Sequence, residues 1–482
     1  MIFTIKDLLS IIPELIVAGS ACVLLLVDLL ISKERKACMA VLSILSVIAA
    51  GVASYWLLGA DFMGAKSFAG MFELDGFSTF FKFVFYTATV LSILLSFHYV
   101  KEEDINLGEY YVLMLFSLSG MMVLASGADL LSIYVGLELM SLPIYVLAGF
   151  LQNDVRSNEG AMKYVILGAF SSGILLYGIS MVYGLTGTTE LSGVAAALSD
   201  PSVHVPALSI AIVMMVAGFA FKVAGVPFHM WAPDAYEGAP TPITGFMSAG
   251  PKAAAFAVML RVFMEGLQPA YEQWMVMVGV VAVASMAYGN FVAISQKNIK
   301  RMLAYSSIGH AGYALLGVMA GTEEGIASVM FYMAVYVFMN LGAFGIIIMM
   351  RKGGQRGELI EEYTGLARSH RGVALLMLIF LFSLAGIPPT AGFMGKFYIF
   401  MALIHRGMVG LAIFAVLMSA VAAYFYIRIV MLMYMREPAG EFEFARSKGI
   451  YYALFITTVG TVLLGICPGY LVKLAEMASV IM

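Results

Sequence analysis

One apolar stretch of the sequence, residues 207–242, limits what the chain can fold into. It is long enough to cross a lipid bilayer, but Lys222 places a cation inside it, and Gly225 and Pro227 follow within five residues. A cation at the bilayer centre costs roughly 3 kcal/mol, and a proline removes a backbone donor that lipid cannot replace. A membrane protein keeps such a break only where it lines a hydrated cavity or a protein interior, which indicates ion or proton transport.

Similar apolar stretches make up most of the chain. Hydrophobic residues account for 62% of the 482 residues and charged residues for 12%, about half the charged share of a soluble domain. Because a spanning helix takes about 20 residues, we predict an all-α integral membrane protein with about fourteen transmembrane helices. The net charge of −3 gives no reason to expect a nucleic-acid partner. The helices are expected near residues 11–31, 37–59, 77–100, 109–126, 128–151, 160–185, 207–238 (broken), 242–265, 272–294, 302–321, 326–350, 371–405 (broken), 408–435 and 450–475.

Basic residues divide unequally between the two sets of loops that these helices define. Sixteen lie in one set, whereas the other set holds only Lys66 and Arg406. Because basic loops stay in the cytoplasm, we expect a multi-pass membrane protein with its N-terminus on the non-cytoplasmic side. The sixteen residues are Lys33, Arg35, Lys36, Lys101, Arg156, Lys297, Lys300, Arg301, Arg351, Lys352, Arg356, Arg368, Arg371, Arg436, Arg446 and Lys448.

The helix break recurs later in the chain. Ala224-Gly-Val-Pro227 returns as Ala385-Gly-Ile-Pro388, and each copy has a lysine close by. The breaks fall in predicted helices 7 and 12, which are five helices apart. Because five is an odd number, the second copy enters the membrane from the opposite side. Discontinuous helices in inverted repeats build midplane ion sites in secondary transporters. We therefore predict a three-helix segment at 1–108, five-helix repeats at 109–265 (helices 4–8) and 272–435 (helices 9–13), and a C-terminal helix at 436–482.

Six ionisable residues are candidates for a proton relay, since they lie deep in the predicted membrane or beside a break: Glu138, Lys222, Lys252, Lys396, His229 and His310. An ionisable group at such depth is a functional candidate by default. Both histidines also fit a hydrogen-bonded core role, and that alternative stays open. Desolvation and a nearby carboxylate change a lysine's proton affinity in opposite directions. Opening and closing a Glu138–Lys222 pair is therefore expected to release and load a proton.

Four further basic residues lie within about two turns of a predicted helix end. They are Lys82, Lys163, Arg261 and Arg428. Long basic side chains near a helix end can extend to the membrane surface. We expect all four to reach the interface in this way.

The sequence shows no motif for a redox cofactor. Cys22, Cys38 and Cys467 are scattered without metal-ligand spacing. No dinucleotide fingerprint is found, and in residues 59–67 Ala65 displaces the lysine that a phosphate loop requires. We expect no cofactor in this chain, so its energy comes from a partner or an ion gradient.

Three segments, 221–252, 296–313 and 384–398, resemble the antiporter-like membrane subunits of respiratory complex I, the NADH:quinone oxidoreductase. The second reads QKNIKRMLAYSSIGHAGY and the third LAGIPPTAGFMGKFY. The resemblance covers most of the chain and implies two inverted five-helix repeats. It also implies that Glu138 and Lys222 form the coupling pair, with Lys252 as the central relay and Lys396 as the terminal proton site.

The same resemblance implies that this chain lies in a bacterial inner membrane and pumps protons as one subunit of a larger translocating enzyme. Electrons would pass from NADH to quinone in other subunits, which would hold the flavin mononucleotide and the iron–sulfur clusters. The expected neighbours in the lipid bilayer are other membrane subunits, including an M-type antiporter-like subunit.

Two other functions fit the sequence. One is a subunit of a multi-subunit Na⁺/H⁺ antiporter, whose large subunits share the broken-helix motifs. The other is a non-conducting scaffold, which predicts that Glu138→Gln and Lys252→Ala leave assembly and pumping intact. Inverted vesicles that pump protons on NADH addition, and that lose pumping in Lys222→Ala, would favour the oxidoreductase over the antiporter.

Overall fold

The structure, a computed structural model, describes residues 5–32, 36–59, 63–105, 107–200, 204–350, 357–438, 444–445 and 447–479. These residues form twenty α-helices and one small hairpin of strands β1 (Lys66–Ser67) and β2 (Phe72–Glu73). The helices are α1 (Ile5–Ser10), α2 (Ile12–Asp28), α3 (Ala37–Leu57), α4 (Gly76–Glu102), α5 (Glu109–Ser126), α6 (Leu130–Ala148), α7 (Val155–Thr186), α8 (Leu191–Leu198), α9 (Val205–Lys222), α10 (Trp231–Gly238), α11 (Thr241–Arg261), α12 (Tyr271–Ile294), α13 (Ile299–Ala320), α14 (Glu323–Met349), α15 (Leu366–Ser369), α16 (Arg371–Ala385), α17 (Ala391–His405), α18 (Val409–Met435), α19 (Lys448–Ile466) and α20 (Gly469–Ser479).

The predicted all-α membrane fold is confirmed. Within the described residues, eleven helices are long and apolar enough to cross a membrane. The other predicted spans correspond to α2, to α13 and to the pair α16 and α17. Helix α13 is less apolar because it carries Lys300, Arg301 and the Ser-Ser-Ile-Gly-His sequence.

Two of the spans are interrupted where the sequence predicts breaks. The chain leaves helical structure between α9 and α10 and again between α16 and α17. Side chains bond the backbone groups that the breaks free: Trp231 Nε1 donates to the Phe221 carbonyl at 3.1 Å, and the Gly392 amide donates to Ser383 Oγ at 3.0 Å. Such bonds are required because lipid offers the backbone no partner.

One detail of the predicted helices was wrong. The expected single helix at 450–475 is divided into α19 and α20 around Pro468, because a proline cannot continue the hydrogen-bond ladder. Pro251 lies inside the continuous α11.

Ion pairs gather loops of the predicted cytoplasmic set at one end of the bundle, which we call the basic end. Asp234 accepts from Lys163 and Arg301 at 2.7 Å each, and Arg156 lies 3.6 Å from Glu358. The hairpin lies at the other end, the hairpin end, where Lys66 bonds Glu190 at 2.8 Å and burial raises the pKa of Glu73. Of the sixteen basic residues, Lys33, Arg35, Arg351, Lys352, Arg356 and Arg446 lie outside the described residues.

Lys82 and Arg261 do not reach the membrane surface, contrary to our expectation. Their side chains are 0% and 1% exposed. Arg261 donates to Asp75 Oδ2 at 2.8 Å, and Lys82 lies 2.6 Å from Glu14 Oε1. Carboxylates from distant parts of the sequence meet both cations inside the protein, so neither cation needs to extend outward.

The other two of these four basic residues lie closer to the surface. Lys163 is partly exposed and pairs with Glu159 as well as with Asp234. Arg428, on α18, donates to the carbonyl of Ile294, the last residue of α12, at 2.8 Å.

We predict that Asp75→Ala strongly reduces accumulation of the chain in the membrane. The change leaves Arg261 buried beside only the more distant carboxylates Glu73 and Glu265, both at 3.6 Å. Breaking a buried pair costs about 3–5 kcal/mol. The amount of chain in membranes and the thermal unfolding midpoint measure the effect.

The matched control is Glu190→Ala, which removes the partly exposed ion pair with Lys66 at the same end. An exposed pair contributes about 0–1 kcal/mol. Equal accumulation of both variants would show that the buried pair does not support the fold.

Candidate functional site

The first lysine of the site lies at the first helix break. Lys222 is the last residue of α9, and its buried Nζ donates to Ser141 Oγ at 2.9 Å, to Tyr145 OH at 3.3 Å and to Ser172 Oγ at 3.5 Å. Three acceptors match the three donors of an ammonium group. The C-terminal end of a helix also stabilises a cation, so the break places this charge where it is best supported.

Glu138 lies one turn before Ser141 on α6 but does not contact the amine. No ion pair joins Glu138 to Lys222 in the described part of the chain, where Glu138 Oε1 has no hydrogen-bond partner. The expected pair is therefore open in this structure. The face of α6 that carries Glu138 is exposed and apolar, with these residues at the surface: Leu131, Val135, Leu142 and Val146.

The second lysine and a histidine share contacts with α13. Buried Lys252 on α11 donates to the Ser307 carbonyl at 2.9 Å and to the Ser307 hydroxyl. One turn further along α13, His310 Nδ1 lies 2.5 Å from Tyr332 OH, and its Nε2 lies 3.2 Å from Tyr426 OH. Both ring nitrogens are thus hydrogen-bonded to hydroxyls that can donate or accept.

The third lysine lies at the second helix break. Lys396 Nζ donates to the carbonyls of Leu384 at 3.2 Å and Ala385 at 3.0 Å, and to Ser419 Oγ at 2.9 Å. The two carbonyls end α16, where the break leaves them without helical partners. The interruption therefore builds the cation site, as discontinuous helices do in transporters.

One face of α13 connects the second and third lysines. Ser307, His310 and Tyr313 follow at intervals of three residues, so they lie along one side of the helix. Ser307 bonds Lys252, and Lys396 Nζ lies 4.8 Å from the centre of the Tyr313 ring. Among the described residues, no hydrogen bond joins the Lys222 contacts to the Lys252 contacts. We call Glu138, Lys222, Lys252, His310 and Lys396 the lysine row.

His229 lies apart from the lysine row. It is buried between α9 and α10, and its ring meets Tyr288 edge-on with ring centres 4.6 Å apart. No described contact links it to Lys222 or Lys252. The structure does not bring His229 into the site, and its relay role stays a prediction.

Sequence reasoning missed the hydroxyl residues that surround the amines. It searched for ionisable side chains, whereas most amine and imidazole contacts come from neutral groups. One signal was present: Ser141 follows Glu138 by three residues and Ser307 precedes His310 by three, which places each pair on one helix face. The missed residues are Ser141, Tyr145, Ser172, Ser307, Tyr313, Tyr332, Ser419 and Tyr426.

Discontinuous helices around buried lysines define a membrane transport protein. In the described ranges, no group of three or more His, Cys, Asp or Glu side chains is placed to hold a metal ion.

Comparison with known proteins identifies the family. A family model described as "NADH:quinone oxidoreductase/Mrp antiporter, TM" matches residues 127–422. NADH-quinone oxidoreductase subunit N 2 of Rhizobium meliloti is 55% identical over 98% of this chain and 97% of its own length. Subunit N of Trichlorobacter lovleyi is 43% identical over 99% and 98%. The chain belongs to the antiporter-like family shared by NADH:quinone oxidoreductase and Mrp antiporters, among relatives named NADH-quinone oxidoreductase subunit N.

Solved structures share the fold. A chain of respiratory complex I from Thermus thermophilus matches with a TM-score of 0.81 and 30% identity, covering 96% of this chain and 100% of that one. A chain of the Mrp complex from a Dietzia species matches with a TM-score of 0.83 at 19% identity, covering 99% and 97%, and this likeness concerns the fold alone.

We predict that Gly392→Ala prevents α17 from packing against the end of α16 at the second break, and so reduces the amount of folded chain in the membrane. A β-carbon at Gly392 would overlap the backbone carbonyl of Ser383, which cannot move without displacing the end of α16. We expect a cost of about 3 kcal/mol, the upper end for overpacking. Gly410→Ala on α18 is the control, since a β-carbon there meets nothing within 4 Å. The amounts of both variants in membranes test this, and equal amounts would contradict it.

Proposed function

We propose that this chain is the proton-translocating membrane subunit N of an NADH:quinone oxidoreductase and couples quinone reduction elsewhere in the complex to proton pumping. The lysine row carries this proposal. It contains three buried amines, a histidine bonded to two tyrosines, and one carboxylate at its start. The near-full-length relatives with 43–55% identity support the oxidoreductase over the Na⁺/H⁺ antiporter.

In this mechanism Glu138 controls the first amine. When Glu138 is ionised and close, it favours the charged form of Lys222. When the pair opens, desolvation favours the neutral amine and the proton leaves. Ser141 supports the open arrangement, because it binds the Lys222 amine one turn away from Glu138.

The released proton then moves along the row toward Lys396. Ser307, His310 and Tyr313 on α13 connect the two amines, since Ser307 bonds Lys252 and Tyr313 contacts Lys396. Tyr332 and Tyr426 hold the imidazole by its two nitrogens. Because each hydroxyl can donate or accept, a proton can enter at one nitrogen and leave at the other.

The position of Glu138 also indicates a partner. A carboxylate near mid-membrane is costly, yet Glu138 is only half-buried and lies among exposed apolar residues on one face of α6. We propose that another membrane subunit of the complex covers this face and regulates Glu138. An M-type antiporter-like subunit then takes the far end of the row, where the apolar surface of α18 is exposed.

We also propose where the cofactors bind and how the chain lies in the membrane. NADH, flavin mononucleotide, iron–sulfur clusters and quinone bind in partner subunits. The chain lies in a bacterial inner membrane, with its basic end in the cytoplasm and its N-terminus on the other side. Residues 109–265 and 272–435 form the two inverted repeats, each supplying one helix break.

We predict that Lys252→Met removes most NADH-driven proton uptake into inverted membrane vesicles. Methionine keeps the length and the apolar packing but carries no proton, so the row is interrupted at its centre. Lys66→Met is the control, since it removes an amine at the hairpin end, outside the row. Proton uptake and NADH oxidation are measured together, and unchanged uptake in Lys252→Met would contradict the proposal.

The same vesicles test the antiporter alternative. A sodium gradient imposed without NADH should drive no proton flux through this chain. Sodium-driven flux that Lys252→Met abolishes would favour the antiporter.

We predict that Tyr332→Phe slows pumping without preventing assembly. The ring stays, but His310 loses the 2.5 Å hydroxyl contact at Nδ1. A hydrogen bond contributes about 1 kcal/mol, so a partial loss of rate is expected. Tyr398→Phe, on α17 outside the row, is the control. Equal pumping by both variants would remove Tyr332 from the mechanism.

A further inference from the structure

A buried ion pair lies outside the lysine row, in the three N-terminal spans. Glu14 on α2 and Lys82 on α4 meet at 2.6 Å, and their side chains are 4% and 0% exposed. The hairpin closes the pair off from the end of the bundle, since Lys82 Nζ lies 5.2 Å from the centre of the Phe72 ring. Nothing in the lysine row contacts this pair in the described residues.

The pair is poorly bonded for a structural element. Apart from each other, neither the Lys82 amine nor either Glu14 carboxylate oxygen has a hydrogen-bond partner among the described residues. An ammonium has three donors and a carboxylate about four acceptor positions. A buried pair stabilises a fold only when further hydrogen bonds offset desolvation, and apolar residues of similar volume usually serve as well or better. Stabilisation of the fold therefore does not explain why two charged residues are buried here.

A line of polar side chains leads away from Lys82 along one face of α4. Tyr86, Thr89 and Ser96 follow Lys82 at intervals of four, three and seven residues, the spacing of a single helix face. All are buried. Tyr86 OH lies 2.9 Å from the hydroxyl of Ser54 on α3, and Ser96 Oγ lies 3.0 Å from the hydroxyl of Tyr110 on α5.

A second acid–base pair lies near the opposite end of the same helices. Asp28, the last residue of α2, accepts from Lys36 at 3.0 Å, and both are buried. The other carboxylate oxygen of Asp28 has no hydrogen-bond partner in the described part. Fourteen residues separate Glu14 from Asp28, which is about 21 Å along a helix. The two pairs therefore lie at different membrane depths, with hydroxyl groups between them.

We propose that α2, α3 and α4 contain a second proton path, which runs across the membrane rather than along it, with Glu14 and Lys82 as its proton-accepting pair at the hairpin end. Opening the pair lets the Glu14 carboxylate take up a proton, and closing it returns that proton to the path.

The path is closed in this structure. Neighbouring side chains on a helix face are about 5–6 Å apart, whereas a hydrogen bond spans about 2.7–3.2 Å. Transfer from Lys82 to Tyr86 and onward therefore needs side-chain movement or water. The path conducts only when these side chains move or water enters, which prevents a standing leak of protons.

Carbodiimide labelling of the intact wild-type complex tests the proposal without a variant. Dicyclohexylcarbodiimide adds to a protonated carboxyl group in apolar surroundings: the acid proton moves to a carbodiimide nitrogen, and the carboxyl group ends as a stable N-acylurea. We expect Glu14 to be labelled severalfold more during NADH oxidation than at rest. Asp75 is the internal control, since it is a buried carboxylate outside the path that pairs with Arg261 at 2.8 Å. Labelling of Glu14 no greater than that of Asp75 would overturn the proposal.

A double variant separates proton transfer from support of the fold. Glu14→Gln with Lys82→Met removes both charges, so no lone buried charge remains to prevent assembly. We expect a partial loss of proton uptake per NADH oxidised. The matched control, Glu190→Gln with Lys66→Met, removes the exposed pair at the same end and should keep parental uptake.

Parental proton uptake by the Glu14/Lys82 double variant would show that the pair only joins α2 to α4. Both experiments probe residues of this pair, whereas the lysine row is tested by Lys252→Met. Failure of one proposal therefore leaves the other standing.

Discussion

The rest of this structure depends on how a membrane protein holds an amine away from water. Lipid supplies no acceptor, so the protein must provide every bond. Two of the three amines in the row use a helix break: Lys222 ends α9, and Lys396 is bonded by the two carbonyls that end α16. The third, Lys252, takes a backbone carbonyl and a hydroxyl from Ser307. The breaks in the helices and the positions of the charges therefore have one physical cause.

Neutral acceptors suit amines that must release protons. Moving one elementary charge across the membrane against a potential of about 150 mV costs roughly 3.5 kcal/mol, so the proton affinity of the amines must change during pumping. A fixed carboxylate beside each lysine would hold its proton, because opposite charges interact strongly where the dielectric is low. Hydroxyls and carbonyls orient the amine without a full opposite charge. Glu138 is the one carboxylate of the row as we define it, and its approach or withdrawal supplies the change in proton affinity from which transfer begins.

Sequence predicted those features that one stretch of chain determines. Gly225, Pro227 and the apolar lengths give the spans and both breaks, and depth alone identifies the three lysines as functional candidates. Partners that come from distant sequence were missed: Lys82 and Arg261 were expected at the surface because Glu14 and Asp75 are far away along the chain. His229 was predicted from its place beside a break, but only packing shows that it faces Tyr288 rather than an amine.

The central claim is that a proton passes between amines that protein groups alone do not connect. A map of the intact complex in a lipid nanodisc, obtained by cryo-electron microscopy at a resolution that shows ordered water, tests it most directly. The account predicts water molecules in the gap between Lys222 and Lys252 and along the α13 face toward Lys396. Dry, closely packed side chains separating the amines, with no water between them in any state of turnover, would contradict it.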